Sequence, residues 1–201
     1  MEDNCSGKTF KKGELIFKEG ITCSRVSLLK EGLVKIHMVG VGGREQILKL
    51  VKAPNYIGIP NTVGDKTYHY SATAIEETQV CFIGLDNFKE LLHLSKDFAY
   101  NIIADFCKNE ILHFRNCIHK TQKQSAGLLA DALLNFANNI YESHSFTLPL
   151  SRQEMADSFG TSRENVSRML SEFQRDGIIK VDKKEISIVN IKRLELISGL
   201  G

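Results

Sequence analysis

Arg163, Glu164, Ser167 and Arg168 recur at spacings of one, three and four residues, so a helix would gather them on one face. The chemistry available to such a face is hydrogen bonding to base edges. Arginine grips guanine O6 and N7 with two bonds, glutamate accepts from cytosine N4, and serine reaches either kind of edge. A charged helix face is ordinarily just solvated. It becomes a reading head only if another element holds the helix out toward a major groove.

The surrounding stretch "SRQEMADSFGTSRENVSRML" (151–170) supplies such an element. A hydroxyl residue stands three positions before a glutamate twice, at Ser151 and Glu154 and again at Thr161 and Glu164, and this is the signature of a capped helix start. Two helices are therefore predicted, over 152–159 and 162–174, with Gly160 ending the first and Thr161 or Ser162 capping the second. Eight residues are too few for a helix to stand alone, since isolated helices below about 12 residues are marginal. The first must lean on the second, Met155, Ala156 and Phe159 against Val166, Met169, Leu170 and Phe173. That is a helix-turn-helix, with its charged face outward.

The elements around it follow from periodicity. Beyond Gly177, "IIKVDKKEISIVN" (178–190) reads as two strands about a polar turn, a wing whose Lys183 and Lys184 could touch phosphates. Before the motif, residues 126–140 form an amphipathic helix and "FTLPL" (146–150) a short strand. From Asp97 the apolar positions Ile103, Cys107, Ile111, Phe114 and Ile118 step by four, four, three and four, widened by Ile102, Phe106 and Leu112. Such a helix can pack on its own domain or pair with a second copy as a coiled coil. Before residue 96 the chain alternates apolar and polar residues between turn formers, in 12–20, 25–39, 40–51 and 70–84, as a sandwich or barrel does.

Composition excludes other classes. The 201 residues carry a formal charge of +2, so any affinity for nucleic acid must come from local clustering. No apolar run approaches the roughly 20 residues of a membrane span, and the start lacks a secretory core, so a cytoplasmic chain is expected. The five cysteines (5, 23, 81, 107 and 117) have no C-x-x-C pair and read as small buried hydrophobes rather than a disulfide framework or metal site. The six histidines lack H-x-x-x-H spacing, which argues against a zinc enzyme and, with no histidine cluster on the strands, against a cupin-type one. No metal site and no enzymatic activity are expected.

"LSRQEMADSFGTSRENVSRMLSEFQRDGIIKVDKKEISI" resembles the C-terminal domain of the CRP/FNR family of bacterial transcription regulators. "GELIFKEG", "LLKEGLVKIHMVGVGGREQILKLVKAPNYIG" and "ATAIEETQVCFI" are similar to its double-stranded β-helix, a jelly roll like that of cyclic-nucleotide-binding domains. The resemblance implies an α+β chain with a β-barrel effector domain (1–98), a dimerisation helix (99–122) and a winged helix-turn-helix (123–201). It implies base reading by Arg163, Glu164, Ser167 and Arg168, and phosphate contacts from Ser151, Arg152, Gln153, Ser162 and Asn165, with Lys183 and Lys184 on the wing. It further implies a homodimer paired through Ile103, Cys107, Ile111, Phe114 and Ile118, a pseudo-palindromic duplex as target, and RNA polymerase as partner.

Two departures concern the effector. Nucleotide-binding members place a glutamate and an arginine–serine pair in the loop that here reads "YIGIPNTVGDKTYHYSATA". Ile59 takes the place of the acid, and His69 and Tyr70 stand about where the pair would be, which disfavours cyclic AMP because its phosphate would lack a fixed charge partner. Cys5 and Cys23 alone cannot hold an iron–sulfur cluster. An effector pocket is expected around Gly58, Ile59, His69, Tyr70 and Ser71. For His69 three readings stay open: a haem or metal ligand, a hydrogen-bonding group for an anionic or aromatic metabolite, or a surface residue. The alternative to a DNA-binding regulator is a small-molecule- or haem-sensing module whose helix-turn-helix serves protein interaction.

Overall fold

The computed structural model describes residues 5–43, 45–62 and 65–200, with the side chains of Cys5 and Leu200 outside the description. Arg44 of the glycine-rich turn and Val63 and Gly64 of the 56–74 loop also lie outside the described residues. The chain forms two compact units, Met1–Glu110 and Ile111–Gly201. Their division falls inside one long helix.

The first unit is a pair of four-stranded antiparallel sheets. One has the order β1 (Cys5–Phe10), β8 (Thr78–Gly84), β3 (Arg25–Glu31), β6 (Asn55–Ile57). The other runs β2 (Leu15–Phe17), β7 (Ser71–Ala74), β4 (Leu33–Val39), β5 (Glu45–Lys52). Alternation sends Phe10, Leu29, Val34, Ile36, Val51, Ile57, Val80 and Phe82 into the shared core between them. β3 and β4 are consecutive in sequence yet lie in different sheets. Gly32 makes the crossing: at φ 93° it is in the left-handed region, and a Cβ there would stand 2.6 Å from the Glu77 carbonyl oxygen. No other residue fits.

α1 (Leu85–Leu94) closes one end of the barrel through an aromatic triad, Phe88 with Tyr56 and Phe98, ring centroids 5.8–6.0 Å apart. α2 (Lys96–Gln122) starts three residues before the expected boundary. Ile102 is buried, whereas Ile103, Ile111, Phe114 and Ile118 are each more than half exposed. Ile102 therefore belongs to a different face from the stripe it was expected to widen, because one residue on a helix is a turn of about 100°. Cys107 and Cys117 are exposed free thiols, not buried hydrophobes, since they share the outward side of α2. Cys23 is buried as expected, and Cys81 is buried but disulfide-bonded rather than free.

The second unit holds α3 (Ser125–Asn135), continued by a wider turn at Phe136–Ile140, then β9 (Ser145–Thr147), α4 (Arg152–Phe159) and α5 (Arg163–Arg175). β10 (Ile179–Asp182), β11 (Glu185–Ile188) and α6 (Ile191–Leu200) complete it, with β11 between β10 and β9 in a three-stranded sheet. The bend between α2 and α3 is fastened by Lys123. Its ammonium reaches both carboxylate oxygens of Asp131 (2.9 and 2.7 Å) and the Ser198 carbonyl (2.6 Å), tying the end of α2 to α3 and α6.

Candidate nucleic-acid interface

The paired caps form the local frame of the site. Ser151 accepts from the Glu154 backbone N–H (3.2 Å) while Glu154 accepts from the Ser151 N–H (2.8 Å), a complete capping box at the start of α4. Leu150 and Met155, both buried, occupy the positions of the accompanying hydrophobic staple. Gly160 ends α4 at φ 68° and ψ 36°, the left-handed cap. Ser162, rather than Thr161, caps α5 by accepting from the Asn165 N–H (3.1 Å). Ala156 of α4 and Val166, Met169, Leu170 and Phe173 of α5 are all buried. Phe159, expected beside them, is half-buried.

With that side of α5 spoken for, Arg163, Glu164 and Arg168 are exposed and Ser167 is half-exposed beside them. The four sit in the first two turns. Arg168 is set in place on its own helix: it donates to Asn165 Oδ1 (2.6 Å) and to Glu172 Oε1 (2.6 Å). Asn165 is held in turn by donating to the Thr161 hydroxyl (2.7 Å). The carboxyl of Glu164 is held below its ordinary value, first by its own backbone N–H, then by the Ser162 hydroxyl and the neighbouring Arg163 charge. It is an anion at neutral pH, able to accept but not to donate. Among the described residues, Arg163 has no ion-pair partner within 4 Å.

The expected phosphate contacts lie around this head. Ser151, Gln153 and Ser162 are exposed, Arg152 and Asn165 half-buried. Gln153 donates to Asp157 Oδ1 (2.9 Å) along α4, and Asn165 is occupied with Arg168 and Thr161. Lys183 and Lys184 form the exposed tip between β10 and β11, where the Lys184 carbonyl accepts from the Leu148 N–H (2.8 Å). Lys183 holds φ at 54°, a conformation that costs an L-residue roughly 1–2 kcal/mol.

In the barrel unit a pocket of about 80 Å³ opens between Ile36, Lys49, the 55–60 segment and Tyr70 on one side and Ile102, Asp105, Phe106 and Asn109 of α2 on the other. Gly58, Ile59 and Tyr70 line it, as the sequence suggested. His69 and Ser71 do not. His69 is mostly exposed, its Nε2 3.1 Å from Asp65 Oδ1, and Ser71 is buried, accepting from the Glu19 N–H (3.0 Å). Lys49, Asn109 and Phe106 were missed, because only the pairing of β5 with β4 and the seating of α2 bring them to the same cavity.

The comparisons agree with this geometry. Residues 7–95 match the family description "cyclic nucleotide-binding domain" and residues 129–197 match "Crp-like helix-turn-helix domain". The transcriptional activator protein FnrA of Stutzerimonas stutzeri is 28% identical over 198 residues, covering 96% of this chain and 80% of that protein. Electron transport regulator A of Shewanella oneidensis is 27% identical over 197 residues, with 96% and 78% covered. FixK2 of Bradyrhizobium japonicum has the same fold at a TM-score of 0.85 and 22% identity, each chain covered to 98%. The chain belongs to the CRP/FNR family. It is a DNA-binding transcription regulator, and its relatives are regulators rather than enzymes.

Membership raises the question of the family's groups. A cyclic nucleotide does not fit the barrel of this CRP/FNR regulator. Where the loop lines the pocket, its phosphate and ribose would meet Ile59, an apolar side chain, and Tyr70, a neutral phenol. Nor does an arginine or lysine of the 58–71 loop line the pocket. Among the described residues no three of His, Cys, Asp and Glu converge, and His69 Nε2 lies 3.1 Å from Asp65 Oδ1 at the surface.

Proposed function

We propose that this regulator acts as a homodimer, paired through the outward stripe of α2, on a pseudo-palindromic duplex. The observation that carries the reading is the quartet of Arg163, Glu164 and Arg168, exposed, and Ser167, half-exposed, at the N-terminal end of a helix whose opposite face is buried. Each recognition helix enters a major groove, the two about 34 Å apart, and the quartet reads base edges. Ser151, Arg152, Gln153, Ser162, Asn165, Lys183 and Lys184 fix the register on phosphates. Exposure of Ile103, Cys107, Ile111, Phe114 and Ile118 supports the dimer, because an apolar stripe of this length costs free energy in water unless it is covered. The bound dimer engages RNA polymerase, and a small effector in the barrel pocket alters its affinity for DNA.

The test is selection from random duplexes followed by gel shift at fixed salt. The expected result is enrichment of an inverted repeat with half-site centres one helical turn apart. Failure to enrich any sequence, with the purified full chain, would remove the reading.

A further inference from the structure

Thr161 holds a hydroxyl that the caps of the helix-turn-helix leave over. By sequence either it or Ser162 could cap α5, and Ser162 does so. The backbone pins Thr161 to the other helix. Its N–H donates to the Ala156 carbonyl (3.0 Å), which also accepts from the Gly160 N–H at the end of α4. Thr161 is half-buried there, and its Oγ1 accepts from Asn165 Nδ2 at 2.7 Å.

That contact decides which way the Asn165 amide points. A side-chain amide offers an oxygen that accepts and a nitrogen that donates, whereas a guanidinium only donates. With Nδ2 turned to Thr161, Oδ1 faces Arg168, whose Nη2 donates to it at 2.6 Å. A reversed amide would set donor against donor and release that side of the arginine. Glu172 Oε1 accepts from the other nitrogen, Nη1, at 2.6 Å. The guanidinium is thus held at two points, and the point on Asn165 is oriented from the turn rather than from α5. Because an amide nitrogen carries two hydrogens, one N–H of Asn165 is left for its phosphate. An arginine left to rotate must be ordered when it meets a base, which lowers affinity by roughly 2- to 10-fold. A guanidinium already held escapes that loss.

We propose that Thr161 is a positioning residue for base reading, acting through the Asn165 amide to pre-order the guanidinium of Arg168. It makes no DNA contact of its own. The assignment rests on the base-reading role of Arg168 given above.

The experiment compares Thr161→Val, which keeps volume and branching but removes the hydroxyl, with Thr161→Ser, which keeps the hydroxyl. Thermal melts first show each full-length variant to be folded, and Thr161→Ala stands in should the valine variant fail. Without DNA, NMR relaxation at the Arg168 Nε should show a more mobile guanidinium in Thr161→Val and an unchanged one in Thr161→Ser. On the selected duplex Thr161→Val should lose roughly 2- to 10-fold per half-site, with discrimination reduced at the base pair that Arg168 reads. Affinity for random duplex and the salt slope should stay the same, because no phosphate contact is removed. In an Arg168→Ala background Thr161→Val should cost nothing further, the non-additivity of residues that act as one.

Unchanged mobility of Arg168, an equal loss with Arg168 present or absent, or a shallower salt slope would each overturn the proposal. The two readings fail separately. Arg168→Ala weakening selected and random DNA alike would remove the base-reading role, and the proposal with it. Specific loss in Arg168→Ala with none in Thr161→Val would remove the positioning role alone.

Discussion

Replacing Arg168 by alanine separates reading from scaffolding. Its guanidinium is 62% exposed and bonded only along its own helix, to Asn165 and Glu172 at 2.6 Å. Exposed pairs spaced four apart are worth about 0.3–0.5 kcal/mol. The fold should therefore lose no more than that, and the melting temperature should fall by no more than about 2–4 °C for a unit of this size. On DNA the same side chain would make a two-bond contact worth about 1–3 kcal/mol per half-site. Two half-sites give about 2–6 kcal/mol, or roughly 30-fold to 20,000-fold in affinity. Fluorescence anisotropy on the selected duplex, and on duplexes changed one base pair at a time, should show that loss together with indifference at one pair per half-site. Asn165→Ala, which frees one side of the guanidinium without removing it, should cost less, about 0.5–1.5 kcal/mol per half-site. If Arg168→Ala weakens selected and random DNA alike, Arg168 is a phosphate contact and the reading of α5 is mistaken. If the melt drops with affinity, the residue is structural.

Three further outcomes are expected. Ile111→Glu places a carboxylate in the exposed stripe of α2, so sedimentation should show folded monomers; an unaltered dimer would put the interface elsewhere. Lys184→Ala at the wing tip should weaken all duplexes alike and reduce the slope of log affinity against log salt by about 0.9 for each phosphate the lysine no longer neutralises. Gly160→Ala forces a side chain into the left-handed cap at φ 68°, with open space around it, so backbone strain alone should cost about 1–2 kcal/mol in a denaturant melt.

The helix-turn-helix was legible because its determinants are local. A capping box, a left-handed glycine and an apolar spacing of three and four all act within a few residues, and α4 falls at 152–159 as read. The strands at 25–31 and 33–39 were legible for the same reason, since alternation is a local pattern. Their pairing was not. Glu31 and Gly32 look like the tip of a hairpin, but what decides against one is the approach of Gly32 to Glu77 and Thr78, more than 40 residues away. β1, β6, α1 and α6 escaped notice because each is short and takes most of its stabilisation from partners distant in sequence. Ile102 was misassigned because the apolar pattern of α2 serves two faces, one toward the pocket and one outward, and a single period cannot say which is which.

The same limit explains the pocket. Reading the 58–71 loop as a block put His69, Tyr70 and Ser71 together in one site. The segment bends at His69 and Tyr70 before β7 begins, and the three side chains part there: Tyr70 lines the cavity, Ser71 accepts from the Glu19 N–H, and His69 meets Asp65 at the surface. What faces Tyr70 across the cavity comes instead from β5 and α2, positions set by strand register and helix seating. Lys49 is the consequence. In sequence it is one polar residue in the alternating run "EQILKLVK"; paired with Ile36 it joins the lining of the cavity while staying exposed. Because α2 carries pocket residues on one side and the apolar stripe on another, with Phe106 both lining the pocket and 42% exposed, a guest in this cavity would bear on the helix that presents the stripe. A ligand alters DNA affinity only by interacting differently with two states of the protein, and this cavity offers a place for that difference.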